Sequence, residues 1–559
     1  MNPVIMATSS AEEILAQLDP SQQLAAKALI GPTCILAGAG TGKTRTITHR
    51  IAYGIATGAF AANRVLALTY TNRAAGELRS RLRSLGIPAV SVRTFHAAAL
   101  SQLEYFWPQF AGVPAPSILD SKAKLIGEIA KKMSINLDQA ALREVASEIE
   151  WRKYSMLSME DYEKLENRGS IGTLSFAKNL EIQKAYEQAK IAVAKIDWED
   201  VLILTLGLLE AEPRALAHVQ SQYRFFTVDE YQDISPLQQT LLDCWLGEHT
   251  ELCVVGDPNQ TIYSFTGASS EFLHGFASRY PGAGVIQLTT NYRSSNQIVS
   301  FANRLSGDTA GSLDSVGVMG IAPQIRNFAS ATEEASVVAK EIAELIQAGT
   351  APSEIAVLYR INSQSEPLER ALDSVSVPFG IRGGERFFSR AEIRQAVQLI
   401  RAESLSPVSK PLGQAVSDIV RSLGWEARRP TTKGEAASRW EALNALLAMV
   451  DEMPAGASIS EFALELADRA HSQHEPTKEA VTLSTIHAAK GLEWKVVFLI
   501  SVNEGYLPIS YAKTEAEIAE EKRLLYVAIT RAKAELRISY LNSDSSRDRF
   551  PSRFLSLLS

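Results

Sequence analysis

Cysteine is nearly missing from this chain. Its 559 residues carry three, Cys34, Cys244 and Cys253, with no spacing that would hold a metal. A disulfide-stapled extracellular scaffold and a zinc module are excluded, and the thiols read as buried side chains in a reducing compartment. Long apolar runs are missing too: no stretch approaches the ~20 residues needed to cross a bilayer, so no membrane partner is expected. The N-terminal residues lack the basic, apolar, small-residue order of an export signal, and the cytoplasm is the expected compartment. There is no excess of basic charge either. Lys and Arg number 56 against 63 Asp and Glu, a net charge of −7. That argues against a uniformly basic nucleic-acid coat and leaves a local basic groove open, because net charge averages over faces. Solenoid repeats, heptad tracts and long low-complexity segments are absent as well.

What is present is the make-up of a large globular protein, 46% hydrophobic and 21% charged, long enough to divide into several domains. Apolar runs at 33–36 and 65–70 alternate with helical patterns such as 73–85. This predicts an α/β fold with parallel sheets and crossover helices. From about 101 to 196 the pattern is helical, as at 123–133 and 179–194, and reads as an inserted subdomain. Strand signals return at 223–228 and 252–255. A second α/β block has strands at 355–359, 481–485 and 496–500. The interval 402–479 is helical and broken by Pro/Gly-rich stretches at 429–434 and 454–458. The expected organisation is one α/β domain from 1–100 and 197–295, and a helical insertion at 101–196. A second α/β domain comes from 296–401 and 480–559, with a short helical insertion at 402–479.

The first apolar run leads into Ala37-Gly38-Ala39-Gly40-Thr41-Gly42-Lys43-Thr44, followed by a helix-compatible segment from Arg45. Strand, glycine-rich turn and helix make the context of a phosphate-binding loop. Glycines let backbone N–H groups curl toward phosphate oxygens, and the helix adds its positive N-terminal end. Lys43 would reach the β- and γ-phosphates, and the Thr44 hydroxyl would take a place on Mg²⁺. Ala37 stands where a glycine is usual. The alternative is an ordinary glycine-rich turn with a chance Gly-Lys-Thr. A second run, Phe225-Phe226-Thr227-Val228, ends in Asp229-Glu230. Asp229 would hold Mg²⁺, and Glu230 would position and deprotonate the attacking water. Taken alone, such a pair reads equally as a helix start with N-terminal acids; beside the loop it completes an ATPase site with ATP and Mg²⁺ as cofactors.

Asp229-Glu230-Tyr231-Gln232-Asp233 resembles motif II of superfamily 1 DNA helicases of the UvrD/Rep/PcrA type, and further motifs follow the same order. Leu18-Asp19-Pro20-Ser21-Gln22 resembles the Q motif, Thr69-Tyr70-Thr71-Asn72-Arg73 motif Ia and Thr94-Phe95-His96 motif Ib. Asp197-Trp198-Glu199-Asp200 is similar to the short motif that precedes motif II. Gly256-Asp257-Pro258-Asn259-Gln260 with Tyr263 and Phe265 resembles motif III, and Asn291-Tyr292-Arg293-Ser294 motif IV. Gly383-Gly384-Glu385-Arg386-Phe387-Phe388 matches a further family segment. Thr485-Ile486-His487 through Gly491-Leu492-Glu493 resembles motif V, and Thr530-Arg531-Ala532 closes motif VI. The match runs from about 18 to 555, and local features are most similar to an actinobacterial branch of the UvrD helicases.

The resemblance implies two RecA-like domains, each a parallel sheet with helices on both faces, that close on ATP. Lys43, Glu230 and Gln260 would act from the first, and Arg293 and Arg531 would neutralise the transferring phosphoryl group from the second. An arginine finger is worth about 10³–10⁵ in rate; a surface ion pair is the plain alternative for either one. Gln22 would read the adenine edge, Tyr292 stack on adenine, Glu493 contact ribose and Arg45 lie beside the phosphates. Tyr70, Thr71, Asn72, Arg73, Thr94, Phe95, His96, Tyr263, Phe265 and His487 would face single-stranded DNA. Base stacking of that kind is sequence-tolerant. Some of these rings, Phe95 above all, read equally as core. Phe265 and Thr266 replace a tryptophan and an arginine common in the family.

Family members usually carry a large helical insertion in the second domain that contacts duplex ahead of the motor; here the interval is only about 80 residues, 402–479. No HRDC-like, zinc or nuclease-like segment is read. The resemblance therefore implies a 3′→5′ single-stranded DNA translocase and helicase of DNA repair or replication, a monomer in solution. Its expected partners are single-stranded DNA, single-strand/duplex junctions and repair or replication proteins, and on DNA it would be nucleoid-associated. The rival readings are a translocase that strips proteins from DNA and unwinds little, and an ATP-gated subunit that recruits a partner.

Overall fold

The computed structural model describes residues 10–137, 139–165, 174–306, 312–382, 388, 391–404, 410–426, 442–444, 446–447, 449–450, 453, 456–472, 479–544 and 547–558. The chain divides into two compact units with the break between Asn291 and Tyr292, four residues before the boundary drawn from sequence.

Unit 1 is built on a six-stranded sheet: β1 (Thr33–Ala37), β2 (Val65–Thr69), β3 (Ser91–Thr94), β4 (Phe225–Val228), β5 (Leu252–Gly256) and β6 (Gly284–Leu288). The order is β3-β2-β4-β5-β1-β6 and every pairing is parallel. A parallel sheet must be covered on both faces, and the strand residues alternate between two cores accordingly. Cys34, Leu66, Leu68, Phe226, Val228 and Val254 pack on one side. Ile35, Val65, Ala67, Phe225, Cys253 and Val255 pack on the other. All three cysteines are free, and Cys34 and Cys253, on adjacent strands, face opposite cores.

The helices Lys122–Lys132, Gln139–Tyr154 and Phe176–Ala192 have a core of their own around Ile126, Ile129, Val145, Ile149, Ile182 and Tyr186. Their polar anchor is ionic. Lys153 and Lys190 reach Asp197 at 2.8 and 2.9 Å, and Asp197 caps the helix Trp198–Ala211. All three charges are almost fully buried, and a buried charge is tolerated only when paired in this way.

Unit 2 carries β7 (Gln324–Phe328), β8 (Ile355–Tyr359), β9 (Phe379–Arg382), β10 (Val481–Thr485), β11 (Trp494–Leu499) and β12 (Ala532–Leu541) in the order β7-β12-β11-β8-β10-β9. All its pairings are parallel. A separate helical core joins Ile393, Ala396 and Ile400 of helix Ala391–Ser404 to Val416 and Val420 of Leu412–Ser422 and to Phe462 and Leu466 of Ile459–Ser472. The helical module therefore begins at Ala391 and not at 402. The apolar stripe of that helix packs on its helical neighbours, which corrects the sequence boundary. Of the expected features here, 383–387 and 429–434 lie outside the described residues, as do 454 and 455 of the second Pro/Gly-rich stretch.

Candidate functional site: a phosphate loop, an acid pair and a ladder of rings

β1 ends in the glycine-rich loop, and the helix Lys43–Ala56 starts directly after it. Gly40 and Gly42 take φ of +72° and +80°, a region that favours glycine. A Cβ on Gly42 would stand 2.8 Å from Gln22 Nε2, so the position is closed to larger residues twice over. The loop's carbonyls are tied to the protein. Lys43 Nζ donates to Ala37 O at 3.1 Å and Thr41 Oγ1 to Gly38 O at 2.9 Å. Asn291 Nδ2 donates to Ala39 O at 2.7 Å and Gln22 Nε2 to Thr41 O at 2.9 Å. What the loop offers an anion is Lys43 and the first-turn amides of the helix, beginning at Lys43 and Thr44, which have no partner within the helix. Arg45 is exposed and donates to Gln17 O.

β4 lies beside β2 and β5, and its end carries the acids. Asp229 N donates to Leu68 O at 2.9 Å, which extends the sheet by one residue and buries the carboxyl. Burial, then the neighbouring Glu230, push Asp229 up to about 7 against the opposing pull of Lys43. A buried acid beside a second acid is a place for a cation. Glu230 takes the left-handed conformation, φ +53°, which turns its side chain away from the strand line. Its Oε2 accepts from Gln232 Nε2 at 2.5 Å. After β5, Asp257 Oδ2 accepts from Gln260 Nε2 at 2.7 Å, and both residues are buried.

Beyond Gln260 the same segment carries rings. Tyr263 stacks on Tyr70 with centroids 5.5 Å apart and 14° between planes, and Phe265 meets Tyr263 at 6.0 Å. Tyr70 and Phe265 are 38% and 50% exposed. Beside this ladder is a cavity of about 230 Å³ lined by Tyr70, Phe95, His96, Tyr154, Asp233 and Thr266, among others. Phe95 is only 4% exposed and stacks on Trp245 within the core. This corrects the expectation of a free stacking ring there: the side chain is core and meets the cavity only as part of its lining. His96 is held by Tyr154 Oη, 3.0 Å from Nε2. Burial pulls it down to about 4, so it is neutral near pH 7. Thr71 and Thr94 are helix caps, their hydroxyls accepting from Ala74 N and Ala97 N at 3.1 Å. Asn72 and the exposed Arg73 open the helix that Thr71 caps. Farther along it Arg81 pairs with Glu77, a surface ion pair and nothing more.

In unit 2 the start of the segment after Asn291 meets β11 and the helix Glu515–Ile529. Arg293 Nε lies 2.6 Å from Glu493 Oε2, and its Nη1 donates to Thr530 O at 3.3 Å. Glu493 also pairs with Lys533 at 2.8 Å, and these cations hold its carboxyl below the usual range against burial. Arg531 is 1% exposed, with Nε on Val527 O, Nη1 on Leu492 O and Nη2 on Thr530 Oγ1. Three donors of the expected finger are thus engaged within its own unit. Tyr292 is 48% exposed. His487 is partly buried, and burial, Arg360 and Lys490 pull it down to about 3.

The UvrD/REP helicase N-terminal domain model matches residues 18–281, and the UvrD-like helicase C-terminal domain model matches 286–429 and 408–543. The ATP-dependent DNA helicase UvrD2 of Mycobacterium tuberculosis is 42% identical over 98% of this chain and 82% of its own length. The ATP-dependent DNA helicase PcrA of Bacillus subtilis is 28% identical over 96% of this chain and 84% of its own. The DNA helicase II of Haemophilus influenzae is 29% identical over 98% and 87%. The chain belongs to the UvrD/Rep helicase family. In this UvrD-type chain each unit's sheet is a RecA-like domain of the α/β class. Two neighbours of the expected site residues carried no signal of their own: Tyr154, edge-on to His96 as is Trp198 of the short motif before motif II, and Lys533, which shares Glu493. They come from elsewhere in the chain, and only the fold brings them together. Among the described residues no helix is long and apolar enough to cross a membrane.

Proposed function

We propose that this UvrD-type chain is an ATP-driven helicase that moves 3′→5′ along single-stranded DNA and serves DNA repair or replication in the cytoplasm, associated with the nucleoid while on DNA. The observation that carries the reading lies within unit 1. Lys43, Asp229, Glu230 and Gln260 hang from the C-terminal ends of one sheet, and only two residues, Thr261 and Ile262, separate Gln260 from Tyr263 in the ring ladder. A change at the nucleotide therefore has a short covalent path to rings suited to stacking on bases. The relatives' names, ATP-dependent DNA helicase, support the activity; polarity and repair role rest on the resemblance.

In this reading Lys43 and the loop amides bind the phosphates, and Glu230 takes a proton from the attacking water. Arg293 supplies positive charge to the transferring group, oriented by Glu493, while Arg531 braces Thr530 behind it. Asp229 and Thr44 fit Mg²⁺: one buried carboxyl short of a cation and one hydroxyl. Among the described residues no cluster of three or more His, Cys, Asp or Glu is available to a metal, so the ion would come with the nucleotide and complete its shell from phosphates and water. Bound there, it would neutralise phosphate charge. The test is ATP hydrolysis with single-stranded DNA, duplex and RNA in parallel. Strong stimulation by single-stranded DNA is expected, and its absence would overturn the reading.

A further inference from the structure

Gln232 belongs to the segment that carries Glu230 and also touches the segment that carries Gln260. We propose that Gln232 is the positioning residue of the hydrolytic base: it holds the Glu230 carboxylate in its working orientation and links it to the segment that carries Gln260. This rests on the reading of Glu230 as the base.

The orientation of the Gln232 amide is fixed from both sides. The backbone N–H of Asp257 donates to Oε1 at 3.0 Å, so Nε2 faces the other way and donates to Glu230 Oε2 at 2.5 Å. Gln232 has no exposed surface, so no water competes for either bond. That donated bond holds one oxygen of Glu230 and so sets the direction of its carboxylate. The backbone of Glu230 is already in the left-handed region, so its side chain leaves the strand at an angle that Gln232 then pins.

The packing around Gln232 is closed. A Cβ on Gly256 would stand 2.6 Å from Gln232 Oε1 and 3.2 Å from its backbone N, although Gly256 itself has an ordinary strand conformation. Asp257 carries the link onward, its Oδ2 accepting from Gln260 Nε2 at 2.7 Å and its Oδ1 from Asn259 N at 3.0 Å. Glu230, Gln232, Asp257 and Gln260 form one hydrogen-bonded line within unit 1. A shift of Gln260 is thereby felt at the base through two residues that need not touch nucleotide.

The test uses the full chain and three variants. Gln232→Met keeps length and volume and removes both bonds. Gln232→Glu keeps an acceptor for Asp257 N–H and turns an acceptor, not a donor, toward Glu230. Gly256→Ala keeps every functional side chain and presses a methyl on Oε1 and on Leu273 Cδ2. DNA-stimulated kcat and KM for ATP, affinity for a non-hydrolysable ATP analogue and the thermal midpoint are read for each, with Glu230→Gln alongside. The expected result is a kcat lower by roughly 10–100-fold, less than the ~10²–10⁴ of a general base lost outright, with KM and analogue affinity within about threefold of the parent. Should Gln232→Met fold poorly, the other two variants decide. Parental kcat in folded variants, or affinity lost in step with kcat, overturns the proposal and leaves Gln232 a packing residue. Normal turnover by Glu230→Gln overturns the base reading, and the proposal with it. A dead Glu230→Gln beside parental Gln232 and Gly256 variants overturns the positioning role alone.

Discussion

Lys43 and Glu230 act on the same nucleotide in different ways, so their substitutions should separate. Lys43→Ala removes the charge that holds the phosphates; ATP affinity and turnover should both fall. Glu230→Gln keeps the shape and loses the base, so ATP should bind and persist, with turnover lower by about 10²–10⁴. Filter binding beside steady-state hydrolysis distinguishes the two, and near-normal turnover in Glu230→Gln would refute the assignment. A second residue-scale consequence concerns acid. His96 at about 4 and His487 at about 3 lie below the 6.5 of a free imidazole. As pH falls, the unfolded chain takes up these protons first. Their contribution to stability is complete above 6.5 and is lost as pH falls through their folded values. The unfolding midpoint should drop between pH 6.5 and pH 4.5, and His96→Gln should flatten part of that slope. An unchanged slope would show that His96 is not the group responsible.

At the scale of elements, two rings separate the core from the DNA-facing surface. Phe95 is buried against Trp245 under the first turn of its helix, so Phe95→Ala should destabilise unit 1 by about 3–5 kcal/mol. Phe265 stands half exposed at the end of the ladder. Phe265→Ala should leave stability nearly unchanged and weaken single-stranded DNA by about 1–3 kcal/mol. Thermal unfolding and the DNA concentration giving half-maximal ATPase measure the two; a stability loss for Phe265→Ala equal to that of Phe95→Ala would make both rings structural. The sequence could not choose between these fates, because both residues follow a strand or a turn and only the packing of Trp245, 150 residues away, decides. Central strands were legible for the opposite reason: β2, β4, β5 and β8 are buried along their whole length and read as largely apolar runs. β12 was not, since Lys533, Glu535 and Arg537 interrupt its apolar residues. Glu230 and Gln232 were legible as motif letters, but their contact depends on a left-handed backbone at Glu230 that no pattern announces.

For the whole molecule, the size of the helical module in unit 2 bears on what the motor can do with ATP. The helices Ala391–Ser404, Leu412–Ser422 and Ile459–Ser472 pack around a core of their own, apart from the core that the sheet strands form. The segments carrying Arg293, Glu493 and Arg531 lie outside that module, so the residues proposed for hydrolysis and for single-strand contact do not depend on it. In the resembled helicases a larger insertion grips the duplex ahead of the motor, and a module this small has less surface for that contact. Walking and strand separation should therefore come apart. Single chains are expected to translocate competently on bare single-stranded DNA. They should unwind a 3′-tailed duplex weakly unless a fork, a second copy or a partner protein holds the junction open. The measurement is single-turnover unwinding with a trap for released protein, beside stopped-flow translocation on the bare strand. Processive unwinding by single chains would show that the small module suffices; slow translocation paired with slow unwinding would put the fault in the motor and not in the module.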